Sequence, residues 1–183
     1  MVAYLDRMPV GFPGDVTRQP APGDITQGQK NMTYSWSIQS LGKAVTLDQT
    51  GLIAPVNSTT TASQIYGFLV RSFPGQGESG SGPNGATGTY PIGGQIAGIM
   101  RRGYIAVALQ NQASAKKGGA VYIRIAQNTS TLLLGGVEAA ADGANTILLP
   151  GAMFEGAAGI GGVVEISFLL PIVGLTVTGA SKS

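Results

Sequence analysis

Histidine and cysteine are absent from all 183 residues of this chain. Their absence removes the side chains that most often supply a proton relay, a soft metal ligand or an activated nucleophile near neutral pH. Charged residues are scarce as well, at 11% of the chain, and there is a single tryptophan. So little ionisable chemistry is typical of a structural or binding protein, and we expect no enzymatic activity.

Recognisable cofactor and metal motifs are also missing. The segment from Gly75 to Gly80 fits the GxGxxG spacing of a dinucleotide site, but Pro83 and further glycines follow it. The dinucleotide site needs a helix at that point. No DxDxDG calcium loop occurs. We therefore predict no catalytic residues, no cofactor, no metal and no small-molecule substrate.

The charge balance argues against nucleic acid as a partner. Eleven basic and nine acidic residues leave a net charge of +2. The tightest basic clusters are the doublets Arg101-Arg102 and Lys116-Lys117, whereas binding to a nucleic-acid backbone neutralises several phosphates at once. We expect both doublets to lie in turns and predict no direct contact with nucleic acid.

Neither an export signal nor a membrane span is expected. Residues Met1 to Val10 include Asp6 and Arg7 where a signal peptide needs an unbroken apolar core. The most apolar stretch, residues 159–180, is interrupted by Glu165 and by several glycines. A chain with so few charges also lacks the repulsion that keeps monomers apart, so we expect neighbouring subunits to cover much of its surface.

Alternation of apolar and polar residues predicts an all-β domain with little helix. The spacing of the strands is that of a small antiparallel barrel or sandwich. One turn of helix is expected at Val137 to Ala141. The predicted strands are Met32–Gln39, Lys43–Leu47, Ile65–Arg71, two strands in Gln95–Leu109 divided at Gly103, Val121–Ile125, Thr146–Leu149 ended by Pro150-Gly151, and Val163–Leu170.

Several of these strands carry specific expectations about their faces. The strand Ile65–Arg71 is apolar on both sides, so it either lies centrally or turns one side to another subunit. In the strand before Leu109, the small Ala106 and Ala108 point outward, which permits close approach by another surface. Glu165 is placed on an outward face, where solvent or a salt bridge to another subunit receives it. Trp36 is placed on a buried face.

The chain divides into three parts on composition. Prolines and glycines prevent helix and regular strand in residues 1–31, which we interpret as an extended N-terminal arm, either disordered or ordered on a neighbour. Residues 32–170 form a single β domain with a flexible glycine-rich loop at 75–94. Residues 171–183 form an apolar C-terminal tail, and we expect either this tail or the N-terminal arm to pack on an adjacent subunit.

The order of features resembles a known family. A proline- and glycine-rich start contains Gly11-Phe12-Pro13-Gly14-Asp15, and the domain closes with the segments Leu149–Glu155 and Gly161–Ile166. This arrangement is similar to that of the structural cement, or head decoration, proteins of tailed bacteriophages over most of residues 1–170. The loop at 75–94 and the chain beyond Leu170 are longer than in that family pattern.

The resemblance implies a β-tulip or jelly-roll-like subunit that forms a homotrimer on the outer capsid surface of the virion and is made in the host bacterial cytoplasm. Its partners would be the major capsid protein and itself, with no membrane and no nucleic acid. The alternative is a virion or cell-surface β-module for carbohydrate binding or adhesion. From position alone, the candidate contacts between subunits are Phe12, Tyr66, Phe68, Ile172 and Leu175.

Overall fold

The computed structural model describes residues 11–71, 94–110 and 113–170. Within these ranges the regular secondary structure consists almost entirely of short strands. They are β1 Ile25–Gln29, β2 Ala44–Leu47, β3 Ile53–Pro55, β4 Gly67–Leu69, β5 Ile96–Met100, β6 Arg102–Ala108, β7 Ala120–Arg124, β8 Val137–Glu138, β9 Thr146–Phe154 and β10 Val163–Leu169. Three-residue 3-10 helices occupy Ile38–Ser40, Ala62–Gln64 and Gly143–Asn145.

The strands form two five-stranded antiparallel sheets. The first sheet has the order β1-β5-β4-β2-β3 and the second has the order β6-β10-β9-β7-β8. Within each sheet, a single parallel bridge joins the end of one edge strand to the other, Lys30 to Ile53 in the first and Leu109 to Val137 in the second. Each sheet therefore curls toward closure, and the predicted all-β sandwich or small barrel is confirmed.

The main core lies between the two sheets. Alternate residues of β6 and β10 point into it, and Phe68 of β4 packs against Phe168 of β10 with ring centroids 4.7 Å apart. A smaller apolar cluster that includes Leu69 lies on the opposite side of the first sheet. Successive residues of a strand point to opposite faces, so β4 has an apolar cluster on each side, as its central position requires.

The N-terminal segment packs along the second sheet of its own chain. Gly14 donates its backbone N–H to the carbonyl of Ala106 at 2.8 Å, and Val16 forms an antiparallel bridge with Ile105. Gly14 has φ +91°, and a Cβ there would lie 3.0 Å from the backbone nitrogen of Arg71. The small side chain of Ala106 does permit close approach by another surface. That surface is the N-terminal segment of the same chain, and Ala106 is buried.

The expected absence of regular strand up to residue 31 is wrong. Ile25–Gln29 forms β1, which pairs with β5 along its full length although Gly28 lies within it. A Cβ at Gly28 would lie 2.8 Å from the Cδ1 atom of Ile53. The glycine therefore allows the two edge strands of the first sheet to approach each other.

The predicted strand Met32–Gln39 is also wrong. These residues form turns and the 3-10 helix Ile38–Ser40. Asn31 accounts for the difference, because its Oδ1 atom accepts the backbone N–H of Thr33 at 2.8 Å and its carbonyl accepts the indole N–H of Trp36 at 2.9 Å. Such local bonds compete with a strand ladder for the backbone.

Three boundaries differ from the sequence prediction. The break between β5 and β6 falls at Arg101, whose N–H bonds to the carbonyl of Asp24, and Gly103 lies inside β6. Strand β9 continues through Pro150-Gly151 to Phe154 because Gly151, at φ +74°, permits an irregularity in the ladder. Residues Val137 and Glu138 form a strand where a helical turn was expected.

Among the described residues, none of the helices has the length and apolar character needed to cross a membrane.

Candidate interaction surfaces

Two of the predicted contact residues reach the surface of the subunit. Phe12 is 67% exposed, and the guanidinium of Arg71 lies 5.1 Å from the centre of its ring. Asp15 holds this turn by accepting the backbone N–H of Phe12 at 2.8 Å. Tyr66 is half-buried, with the guanidinium of Arg101 at 4.5 Å from its ring centre. Phe12 is thus an apolar side chain on a fixed turn, and Tyr66 offers only part of its surface.

The other three predicted contacts have different outcomes. The prediction that Phe68 contacts another subunit is wrong, because Phe68 is fully buried in the main core of its own chain. Its neighbour Tyr66 lies on the opposite side of the first sheet, near the smaller cluster. Ile172 and Leu175 lie outside the described residues, as does most of the glycine-rich loop at 75–94.

The second sheet presents apolar side chains on its outer side. Leu148 and Met153 of β9 are 49% and 46% exposed, and Leu169 of β10 is 62% exposed. The strand register places them together, because Leu148 lies opposite the half-buried Tyr122 and Met153 lies opposite Ser167, two residues before Leu169. We call Tyr122, Leu148, Met153 and Leu169 the outer apolar face. Grouped exposed apolar residues mark interaction sites more often than scattered ones do.

A charged cluster borders the outer apolar face. Arg18 lies 3.0 Å from the carboxylate of Glu165 and 3.9 Å from that of Glu155, and its guanidinium stacks 3.7 Å above the ring of Tyr104. Thr17 donates its hydroxyl to Glu165 at 2.5 Å. The hydrogen bond to Glu165 is the largest influence on the pKa of Arg18 and raises it. Glu165 is therefore paired within its own chain, and the cluster fastens the N-terminal segment to the sheet.

A buried ion triad supports the other edge of the second sheet. Arg124 bonds to the carboxylate of Glu138 and, at 2.6 Å, to Asp142, and it donates a third bond to the carbonyl of Ala126 at 3.2 Å. The side chains of Arg124 and Glu138 are buried, whereas Asp142 reaches solvent. The bond from Arg124 lowers the pKa of Asp142. The triad is a fully paired structural feature.

Two adjoining cavities lie beside β2. One has a volume of about 280 Å³ and is lined by Trp36 among others. The other has a volume of about 320 Å³ and is lined by Gln110 among others. Both are lined by Gln39, Lys43 and Leu133. We call the pair the Lys43 trough. Sequence analysis missed it, because it assembles side chains from segments far apart in the chain.

A carboxylate cluster that holds a metal, or a serine activated by a lysine, would be suited to catalysis. Across residues 11–71, 94–110 and 113–170, no group of three or more Asp or Glu side chains is positioned to hold a metal ion. Two SxxK spacings occur, from Ser40 to Lys43 and from Ser114 to Lys117. A lysine activates a nucleophile when its pKa is lowered by burial and it bonds to that nucleophile. Ser114 and Lys117 are exposed at a turn. Lys43 is half-buried, but its side chain makes no hydrogen bond to Ser40, whose Oγ atom accepts the backbone N–H of Ser37 at 3.1 Å.

The fold and its surface define a two-sheet β module with an exposed apolar side suited to contacts with other chains. The chain belongs to the structural cement protein family, because the family model described as "Structural cement protein (E217 gp24/Pam3 gp6)" matches residues 2–169. It is accordingly a structural protein of the bacteriophage virion, as the sequence resemblance predicted.

Solved structures support the same assignment of fold. A chain from the capsid of Myoviridae phage XM1 is similar to this one with a TM-score of 0.62 and 19% sequence identity. The similarity covers 91% of this chain and 95% of that chain. At this level of identity the likeness concerns the fold. The search of curated proteins found no match.

Proposed function

We propose that this protein cements a phage head by binding the outer surface of the capsid and bridging neighbouring major capsid subunits. The observation that carries the proposal is the family match along residues 2–169. The capsid origin of a structurally similar chain agrees with it. The work of such a protein is adhesion, which agrees with a chain that has no histidine, no cysteine and few charges.

The outer apolar face is the contact surface that we assign to the capsid. Leu148, Met153 and Leu169 are each about half exposed or more in the isolated chain. Removing apolar surface from water is favourable by about 25 cal/mol per Å², and the loss of motion on association offsets part of this gain. We further propose a homotrimer, in which three such faces act together, because linked contacts give tight attachment from individually weak ones.

A triple substitution tests this assignment. We expect Leu148→Ser, Met153→Ser and Leu169→Ser, combined in one chain, to lower the affinity for expanded, undecorated heads by about tenfold or more, since about 1.4 kcal/mol of lost apolar contact already corresponds to tenfold. The fold should persist, because these side chains are exposed. Bound protein is measured by co-sedimentation with the heads, and circular dichroism confirms folding.

The matched control is Leu47→Ser, which removes an exposed leucine from β2 of the first sheet. This control should bind heads as the unchanged protein does. If the triple variant also binds undiminished, the outer apolar face does not contact the capsid. Light scattering during size-exclusion chromatography measures the subunit number, and a monomer at high concentration would contradict the homotrimer.

A further inference from the structure

The Lys43 trough contains an ammonium group that has no counterion among the described residues. Lys43 is half-buried between the two cavities, and its side chain has no hydrogen bond or ion pair among the described residues. Burial lowers the pKa of Lys43 to about 8. In the part of the chain that the structure describes, no aspartate or glutamate lines either cavity. A partly desolvated cation of this kind is stabilised when an anion enters beside it.

Two of the three amide side chains that line the trough use their oxygens within the chain. Gln110 accepts the backbone N–H of Leu133 on its Oε1 atom at 2.8 Å. Asn128 accepts the backbone N–H of Leu134 on its Oδ1 atom at 3.2 Å. These bonds occupy the oxygens and leave both amino groups without a partner in the described part of the chain. The trough therefore presents donors around Lys43.

An aromatic wall completes the first cavity. Trp36 was expected on a buried strand face, but it is half-buried and lines this cavity. Its indole N–H is bound to the carbonyl of Asn31 at 2.9 Å, which fixes the ring and leaves its apolar surface for contact. Tyr34 also lines the cavity and is exposed. A fixed aromatic ring with polar groups around it is the usual construction of a small-molecule site.

We propose that the Lys43 trough binds an acidic oligosaccharide, with one sugar ring against Trp36 and a sugar carboxylate at Lys43. The combined volume of the two cavities is sufficient for a short saccharide. The trough is lined by β2 of the first sheet and by segments that follow β6 and β7 of the second, and it shares no residue with the outer apolar face, so the proposal goes beyond cementing and does not depend on it.

The strand geometry favours a saccharide over an acidic peptide. Extended peptides gain much of their affinity by adding a strand to a free sheet edge. Strand β2, which follows Lys43, is already paired with β3 on one side and β4 on the other. The trough can therefore offer a ligand its side chains but no free edge of β2. Hydroxyl and carboxylate groups on a compact ring suit such a lining.

The experiment uses the fluorescence of Trp36, which is the only tryptophan of the chain. Purified protein is titrated with a galacturonic acid tetramer, with the neutral galactose tetramer, and with tetraglutamate. We expect saturable quenching by the acidic sugar and at least about tenfold weaker binding of the other two. The neutral sugar loses the charge-assisted contact with Lys43, which changes affinity by about tenfold or more. Tetraglutamate keeps its carboxylates but has no sugar ring to lie against Trp36. Isothermal calorimetry provides a second measure of binding.

Substitutions then locate the ligand. Lys43→Gln keeps a polar side chain and should weaken acidic-sugar binding about tenfold or more, whereas the exposed control Lys117→Gln should leave it unchanged. Thermal unfolding of both variants confirms that they fold. Absence of binding by the acidic sugar, equal binding by tetraglutamate, or equal binding by the Lys43→Gln variant would each overturn the proposal. Head binding by the unchanged protein is measured in parallel and reports on cementing alone.

Discussion

The two sheets differ in whether their buried cations are paired with carboxylates. In the second sheet, Arg124 is enclosed by Glu138 and Asp142, so its charge is balanced within the chain. In the first sheet, Lys30 is 2% exposed and Lys43 is half-buried, and neither has a carboxylate partner among the described residues. The second sheet is thus complete by itself, and the first retains charge that a ligand or a neighbouring chain can balance.

The outer sides of the two sheets differ as well. The first sheet packs Trp36 and Tyr66 against a second apolar cluster on the side away from the main core. The second sheet leaves Leu148, Met153 and Leu169 exposed there. In our proposals, the second sheet supplies a grouped apolar contact, and polar recognition takes place in the Lys43 trough, which segments of both sheets line.

The largest effect on stability is expected from removing the paired cation of the second sheet, Arg124. Arg124→Ala removes the guanidinium that pairs with the buried carboxylate of Glu138, and breaking a buried pair in this way lowers the free energy of unfolding by about 3–5 kcal/mol. Urea unfolding measures the change. Arg18→Ala, in the partly exposed cluster with Glu165, is the control and should change stability little. An equally small effect for Arg124→Ala would show that the triad does not support the sheet.

A second pair of substitutions separates core from surface. Ile123→Ala removes a fully buried side chain of β7, and we expect it to lower the free energy of unfolding by about 2–5 kcal/mol. Phe12→Ala, at an exposed position, should change stability less and weaken capsid attachment more. Urea unfolding and head co-sedimentation are measured on both. Normal head binding by Phe12→Ala would remove Phe12 from the contact residues.

The smallest expected effect is a gain in stability in the first sheet. Lys30→Met keeps the volume of a buried side chain and removes its charge, so we expect the free energy of unfolding at pH 7 to rise by about 1–2 kcal/mol. The exposed control Lys117→Met should have no effect. Lower stability of Lys30→Met would mean that the ammonium of Lys30 is balanced within the chain.

The same substitution predicts a pH dependence. Burial lowers the pKa of Lys30 to about 8 in the folded chain, from 10.5 when unperturbed. Between these values the unfolded state binds more protons, so stability should rise as the pH increases from about 8 toward 10.5. Lys43 contributes in the same direction. Lys30→Met should show a smaller rise in urea midpoint than the unchanged protein, and an identical rise would contradict the assignment.

Sequence patterns predicted the strands that alternate cleanly. Strand β10, with Val164, Ile166 and Phe168 facing inward, and strand β7 lie close to their predicted positions. The pattern around Trp36 failed, because bonds from Asn31 hold those residues in turns. Arg124 alternates as an outward residue but is buried, since the carboxylates that pair with it come from a later segment of the chain.

The candidate sites were harder to predict than the fold. Phe68 was indistinguishable in sequence from a surface aromatic residue, because β4 is apolar on both sides and only the packing of two clusters shows where each side points. The Lys43 trough combines Trp36, Gln110 and Asn128, which are widely separated in the chain. The outer apolar face depends on strand register, which alternation along a single strand does not determine.

The measurement that tests the cementing account most directly is the number of copies bound at saturation to expanded, undecorated phage heads. Purified protein is added in excess, unbound chains are removed by sedimentation, and the ratio to major capsid protein is determined by quantitative mass spectrometry. We predict saturation at three copies for each threefold position of the capsid. No binding to the heads, or binding that does not saturate, would contradict the account.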